Sequence, residues 1–374
     1  MTATWEVVPN DHLDEALLDG ASSVIQAWFP DDAATVVSAE VFRWKLGDAN
    51  PGGRGHMTVA VHDGRVVSVV SVTPRRFRVE GVDVRGAEVG DTYTDTAFLR
   101  DGSASVPWRG DVDGTHYLSR SAFGRLATET LSRSDEAGTR LYFGVANESA
   151  FKAWVGRLGF SRWEGDPLLA YTRLGAAGLG RRLGPARAFG RVAQRVHAAA
   201  MLAGIRLAGC TVEELPLAAL ADVANPLWER VRDRRRIEPV RDGAWFDFRY
   251  TQHPDAWYRA WRVRRRGTDA GVFVTSERSD TLGRQVVLLA DQLLDEEAVA
   301  YTLPFRRAAA GLGTATTDLA SCWLQRPWPP HRRLPLATFV THRPGLIVRT
   351  NPGAPLDLTG APTLEVAMGT SDNV

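Results

Sequence analysis

The stretch "HYLSRSAFGRLATETL", residues 116–131, carries the residue types that hold a phosphate. Ser119 or Ser121 can cap a helix whose apolar face is Phe123, Leu126, Ala127 and Leu131, with Arg125, Thr128 and Glu129 off that face. A helix start offers backbone N–H groups and the positive end of the helix dipole, and Arg120 and Arg125 add formal charge. An anionic phosphoryl group is the ligand this chemistry suits. Groups able to move protons lie close by in sequence: Glu88 and Asp91 on the preceding strand, and His116 at the opening of the stretch. A third candidate is His197, alone among alanines in "QRVHAAAML".

Other chemistries fall away. There is no Gly-x-Ser-x-Gly elbow, no P-loop and no His-Glu-x-x-His. The eight histidines show no pair at helical ligand spacing and there is no Cys-x-x-Cys, so no metal is expected. "GLGRRLG" (178–184) has the spacing G-x-G-x-x-x-G, with no acid placed to hold a ribose, and reads as a linker. The basic run "RVRDRRRIEPVR" (230–241) reads as a solvated helix end, because a net charge of +1 leaves no field to steer nucleic acid.

The elements that must position these groups follow from composition and pattern. The chain has 374 residues, 44% hydrophobic and 24% charged, a length that suits two domains. No apolar run is long enough to span a membrane, the N-terminus is acidic, and the two cysteines fit a reducing compartment, so a cytoplasmic protein is expected. The twelve tryptophans are core fillers, or the walls of a broad pocket suited to sugar rings and acyl chains. Residues 42–72 and 246–277 share one plan: an aromatic-basic-aromatic opening, a turn ending in proline, then a strand, a tight Gly/Asp turn and a second strand. The prolines, Pro51 and Pro254, lie 203 positions apart, which points to two copies of one α/β unit. The first copy reads helix 13–28, hairpin 55–78, strand 86–94, helix 119–134, strand 139–145, helix 148–157 and strand 167–174. The second reads helix 217–235, hairpin 258–277, strand 285–291, helix 295–310, strand 314–323 and a last strand near 336–349. The expected organisation is a domain over 1–174, a linker helix over 175–207 and a second domain over 208–374.

Within 86–160 four motifs come in a fixed order: Gly90-Asp91 with Thr94 on the fourth strand, the basic turn from Ser119 to Leu126, Asn147 after the fifth strand, and Leu158-Gly159-Phe160. In this order the chain resembles the GNAT-type acyl-CoA N-acyltransferases, particularly the bacterial branch built from two GNAT-like units in tandem. The resemblance covers roughly 5–174 by motif and 208–350 in outline. It implies a mixed α/β fold of two such units, with an acyl-CoA co-substrate. Tyr93 and Thr94 would face its pantetheine arm, and Leu118, Ser119, Arg120, Ser121, Ala122, Phe123, Gly124 and Arg125 its pyrophosphate, with Asn147 beside them. Asp91 would take the amine proton, with His116 and His197 as alternatives. Trp108, Tyr117 and Trp163 would line the acceptor side.

Three departures stand out. The family's glycine-bearing turn is "LSRSAF" here, with Leu118 and Ser121 at two of its positions. The loop over 95–117 is long. Val155 occupies the place of the family's acidic tyrosine. The helix over 295–310 starts with acids, which repel phosphate, so the second unit is expected to be a degenerate copy that shapes the acceptor site. Relatives of this type acylate amino sugars, including the glucosamine of glycopeptide antibiotics. The acceptor implied is therefore a small molecule or a glycosylated natural product, without nucleic acid or membrane insertion. Two other readings stay open, an acyltransferase for another amine (aminoglycoside, amino acid or lysine) and a non-catalytic binding module that keeps only the fold.

Overall fold

The computed structural model describes residues 5–28, 38–95, 122–146, 148–163, 168–173, 196, 199, 203, 209–254, 257–279, 285–295, 319–324, 338–342 and 345–358. It divides into two compact units. The first comprises 1–77, 82–163 and 345–360, and the second 78–81, 164–344 and 361–374.

The first unit is built on β1 (Trp5–Pro9), β2 (His56–His62), β3 (Arg65–Val79), β4 (Val82–Thr94), β5 (Leu141–Ala146), β6 (Ser161–Arg162) and β15 (Gly345–Thr350). Their order across the sheet is β1-β2-β3-β4-β5-β15-β6; β9 (Ile237–Pro239) falls in the second unit's part of the chain. Valine-rich alternation makes β2 and β3 strands that bury both faces. Val59, Val66 and Val69 pack with Ala21, Val24 and Ile25 of α1 (Glu15–Gln26) and with Phe42 and Leu46 of α2 (Ala39–Leu46). Val67, Val70 and Val72 pack on the other face with Leu126, Ala127 and Leu131 of α3 (Ala122–Glu136), Trp154 of α4 (Glu148–Arg157) and Phe160. Helices on both faces of one sheet give three layers. α3 buries the face read from its sequence: Leu126, Ala127 and Leu131 are inaccessible, and Phe123 is partly buried against them.

The second unit is a mixed sheet of β7 (Leu168–Arg173), β8 (Cys210–Leu215), β10 (Tyr258–Arg265), β11 (Thr268–Ser279), β12 (Gln285–Leu294), β13 (Leu319–Leu324) and β14 (Thr338–His342). Read from β8 its order is β8-β10-β11-β12-β13-β7-β14, the plan of the first sheet strand for strand. α5 (Leu220–Val231) buries Leu220, Val223, Ala224, Leu227, Trp228 and Val231, a stripe at helical spacing. The hairpins match in detail. Asp63-Gly64 and Arg266-Gly267 are both two-residue turns with positive φ at each residue, which Gly adopts without strain, and both pairs carry a bulge two residues before the turn.

In each sheet the sixth strand in order comes from the other half of the sequence. β7 falls between β13 and β14, and β15 falls between β5 and β6. The expected boundary at 174 is thus crossed by a strand in each direction, and the single strand expected over 336–349 is two, one in each sheet. β1 and α2 are additional to the elements expected from sequence. The expected linker helix over 175–207 and the helix over 295–310 lie almost wholly outside the described residues. The basic run after α5 is engaged by acids: Arg230 and Arg234 hold Asp295 at 3.2 and 2.5 Å, Arg232 holds Glu229 at 2.9 Å, and Arg236 holds Glu80 at 2.8 Å. No helix among the described residues is long and apolar enough to cross a membrane.

His56, at the start of β2, supplies a pH-dependent term. Burial, followed by the positive charge of Arg85, holds its pKa below the usual histidine value, with Arg133 and Arg54 acting the same way and Asp11 opposing them. The unfolded chain binds this proton more readily, so the stability His56 confers is complete above about pH 6.5 and falls as the pH drops below it. In a pH series of melting curves, His56→Asn is expected to flatten that part of the acid limb relative to the unsubstituted chain. An unchanged limb would locate the pH dependence elsewhere.

Candidate active site

The ladder between β4 and β5 is parallel and runs only over Gly86–Glu88 against Leu141–Phe143. Both strands continue, to Thr94 and to Ala146, with no further paired register between them. The sheet therefore opens along its middle. At the opening Asp91 has φ +40°, a left-handed conformation unfavourable for a residue with a Cβ and typical of strained functional positions. Its carboxylate accepts from Lys45 Nζ and, at 2.5 Å, from Ser71 Oγ, both on Oδ2. The Lys45 side chain is 3% exposed and that of Asp91 9%, so the ion pair is screened from water. Glu88, where the ladder ends, is buried and pairs with Arg75 at 3.4 Å.

Beyond Asp91 the strand offers Thr92, Tyr93 and Thr94. Ser68 Oγ donates to the Tyr93 carbonyl at 2.9 Å and lies 2.9 Å from the Thr94 hydroxyl, and Thr92 Oγ1 donates to the Gly90 carbonyl at 3.1 Å. Trp28, half exposed after α1, donates its indole N–H to the Thr94 carbonyl at 2.8 Å and tilts against the Tyr93 ring at 6.4 Å. Burial, and then the Asp91 carboxylate, push the Tyr93 phenol up to about 12, which keeps it a proton donor at neutral pH.

α3 follows β4 in the chain and packs on β1, β2 and β4. Its first residue, Ala122, belongs to the same apolar core as Val89 of β4 and Ala146 of β5, so the helix start is rooted beside the opening. Phe123 meets Trp154 edge-on at 5.5 Å, and Trp154 meets Phe160 at 5.0 Å. Thr130 Oγ1 bonds Thr58 Oγ1 at 2.8 Å and holds the helix to β2.

The structure thus brings Asp91, Tyr93 and Thr94 onto one strand beside the opening, with Ala122, Phe123, Gly124 and Arg125 in the first turn of the adjoining helix. Trp163 is elsewhere: it follows β6, is buried, and donates its backbone N–H to Leu346 of β15 at 2.8 Å. Trp108, His116, Tyr117, Leu118, Ser119, Arg120, Ser121, Asn147 and His197 lie outside the described residues. Lys45, Ser71 and Trp28 were not found from sequence, since each reaches the site from another element. Among the described residues no group of three or more His, Cys, Asp or Glu could hold a metal ion.

The second unit repeats the opening. Among the described residues the parallel ladder of β12 with β13 runs over Val286–Leu288 against Leu319–Ser321. Three residues on, Asp291 is fully buried and pairs with Arg241 at 3.1 Å. Tyr250 O–H and Trp245 Nε1 donate to Asp291 Oδ2 at 3.0 and 3.3 Å. Burial, then the Asp291 charge, raises the Tyr250 pKa well above its ordinary value.

This strand plan and central opening are those of the GCN5-related N-acetyltransferase fold. The structure is similar to a GCN5-related N-acetyltransferase from Anabaena variabilis, with TM-score 0.58 and 10% identity over 93% of this chain and 73% of that one. It is also similar to a GCN5-related N-acetyltransferase from Kribbella flavida, with TM-score 0.53 and 15% identity over 93% and 71%. A third similar structure is the Saccharomyces cerevisiae N-myristoyltransferase with bound myristoyl-CoA, with TM-score 0.54 and 11% identity over 94% and 83%. No protein-family model matches the chain, and no curated protein matches it in sequence.

Proposed function

We propose that the chain is an acyl-CoA-dependent N-acyltransferase that acylates the amine of an amino sugar, such as the glucosamine of a glycosylated natural product of the glycopeptide-antibiotic kind. The observation that carries the acyl-CoA part is the three-residue β4–β5 ladder. Past it, main-chain amides of two diverging strands are placed to bond an extended, amide-bearing arm such as pantetheine, a pairing mode that closed sheets do not offer. Tyr93 and Thr94 line that side. The pyrophosphate sits on the stretch from Leu118 to Arg125, where the start of α3 supplies N–H groups and Arg120 and Arg125 supply charge. Asn147, next after β5, closes the cradle. The neutral amine needed to attack a thioester is generated by Asp91, whose Oδ1 lies opposite the oxygen held by Lys45 and Ser71; His116 and His197 are the other candidates. Trp108 and Tyr117 serve the acceptor, and the second unit shapes its site; Trp163, buried against β15, packs the sheet instead. The half-exposed Trp28 beside Tyr93 adds an aromatic surface suited to a sugar ring.

Thermal-shift titration with CoA, acetyl-CoA and decanoyl-CoA tests the donor. A ligand at 100 times its Kd stabilises the folded chain by about 2.7 kcal/mol, which for a protein of this size is a rise of a few degrees in Tm. Arg120→Ala removes a charge-assisted contact and is expected to weaken CoA about tenfold. Mass spectrometry of mixtures with glucosamine, an aminoglycoside and a lysine peptide then reports the acceptor. No shift with any thioester would leave a binding module without this chemistry, and acylation of the peptide alone would replace the amino sugar.

A further inference from the structure

Two places in this chain share one arrangement. In β4 the ladder to the neighbouring parallel strand ends at Glu88 and an aspartate stands three residues later; in β12 the ladder ends at Leu288 and an aspartate again stands three residues later. The surrounding segments, "EVGDTYTD" at 88–95 and "LLADQLLD" at 288–295, align without a gap. Each aspartate is met by a buried cation, and the two cations come from different places. Lys45 lies in α2, whereas Arg241 precedes α6 (Gly243–Phe246). The pairing of a strand-four aspartate with a buried cation is therefore present in both units. Both fourth strands are irregular at this point. Asp91 has φ +40°, and the register of β12 against β11 skips Ala290, immediately before Asp291.

We infer that Lys45 and Asp91 form a clasp that holds β4 away from β5, making Lys45 a positioning residue of the acyl-CoA cleft; this rests on the acyl-CoA reading above. The physical reason is local. A left-handed aspartate inside a strand relaxes toward extended backbone unless its side chain is tied down, and relaxation would let β4 continue its ladder along β5. The tie has three parts: the Lys45 ammonium, the Ser71 hydroxyl, and exclusion of water around both. Phe42, one helical turn before Lys45, lies 5.0 Å from the ammonium by its ring centre and steadies it. In the second unit the described β12–β13 ladder likewise ends three residues before the Arg241–Asp291 pair, and there Trp245 and Tyr250 also bond the aspartate.

The test compares Lys45→Met/Asp91→Asn with Lys45→Met/Asp91→Gly. Both remove the two charges together, so neither leaves a lone buried ion. Glycine adopts positive φ at no steric cost, whereas asparagine still has a clashing Cβ and lacks the tie to Lys45, so the glycine variant keeps the kink without the clasp. CoA and acetyl-CoA binding is measured by calorimetry, a readout unaffected by loss of a base at Asp91. The asparagine variant is expected to bind about tenfold more weakly while keeping most of its Tm, and the glycine variant to recover most of that loss. Lys45→Arg, which preserves the pair, is expected to bind within about twofold of the unsubstituted chain. Binding by the asparagine variant within about twofold of the unsubstituted chain would overturn the inference, as would equal loss in the asparagine and glycine variants. Hydrogen exchange over Gly144–Ala146 separates this from failure of the acyl-CoA reading. Slower exchange in the asparagine variant reports the ladder closing, whether or not CoA binds, and unchanged exchange counts against the clasp. An unsubstituted chain that binds neither CoA nor acetyl-CoA removes the parent reading and leaves exchange to decide the clasp.

Discussion

Asp291→Ala is expected to lower stability by about 3–5 kcal/mol, because it leaves the Arg241 guanidinium buried without its counter-charge. The side chains of the pair are 3% and 0% exposed, so water cannot take over for the lost carboxylate. The same substitution strips the acceptor from Trp245 Nε1 and from the Tyr250 hydroxyl, both themselves buried. For a chain of this size the loss corresponds to roughly 10 °C in Tm. Scanning calorimetry checks it, with Asp291→Asn as the informative partner. Asparagine still accepts from Trp245 and Tyr250, so a drop about half as large would assign the rest to charge. Replacing both ions, as Arg241→Met/Asp291→Leu, is expected to recover most of the stability, since apolar pairs of matched volume do not pay desolvation. If the double replacement is no better than the alanine variant, the network stabilises through its hydrogen bonds.

Trp154→Ala is expected to cost about 3–5 kcal/mol and to weaken CoA about tenfold. Trp154 is 2% exposed and forms the middle of an aromatic chain from Phe123 through Phe160 to Tyr142. Its removal opens a cavity beneath the first turn of α3, the turn whose N–H groups are assigned to the pyrophosphate. Stability and affinity should therefore fall together. Trp154→Phe keeps an edge for Phe123 and is expected to lose under half as much of each. Urea unfolding combined with CoA titration measures both quantities on the same samples. Loss of stability with unchanged CoA affinity would separate the helix start from the cofactor.

The parts of the fold that sequence disclosed are those whose signal is local. β2 and β3 announce themselves by valine and by the Asp63-Gly64 turn, and α3 by an apolar face at helical spacing. The shared hairpin plan was visible in the paired prolines, and the two sheets also share bulge positions and strand order. α2 escaped because "AEVFRWKL" mixes two charged-to-aromatic reversals within eight residues, and its buried lysine argues against a buried face until the partner is known. That partner, Asp91, is 46 residues away on another element, a separation that periodicity does not register. The origin of the sixth strand in each sheet was hidden for the same reason. β7 and β15 look like ordinary apolar strands, and nothing within either segment specifies which sheet receives it.

That reciprocal placement of β7 and β15 dictates when the molecule can be finished during synthesis. As the chain emerges from the ribosome, β1 to β6 are all present by residue 162, yet β6 has only β15 beside it in the sheet, some 180 residues later. Until then the outer edge of β5 stays open, with an unsatisfied row of main-chain groups of the kind that recruits foreign strands. The second sheet, by contrast, receives β7 before any of its own strands has been made. Completion of the earlier unit therefore waits for the later one, and a ribosome that stalls between them leaves a sheet with an open side.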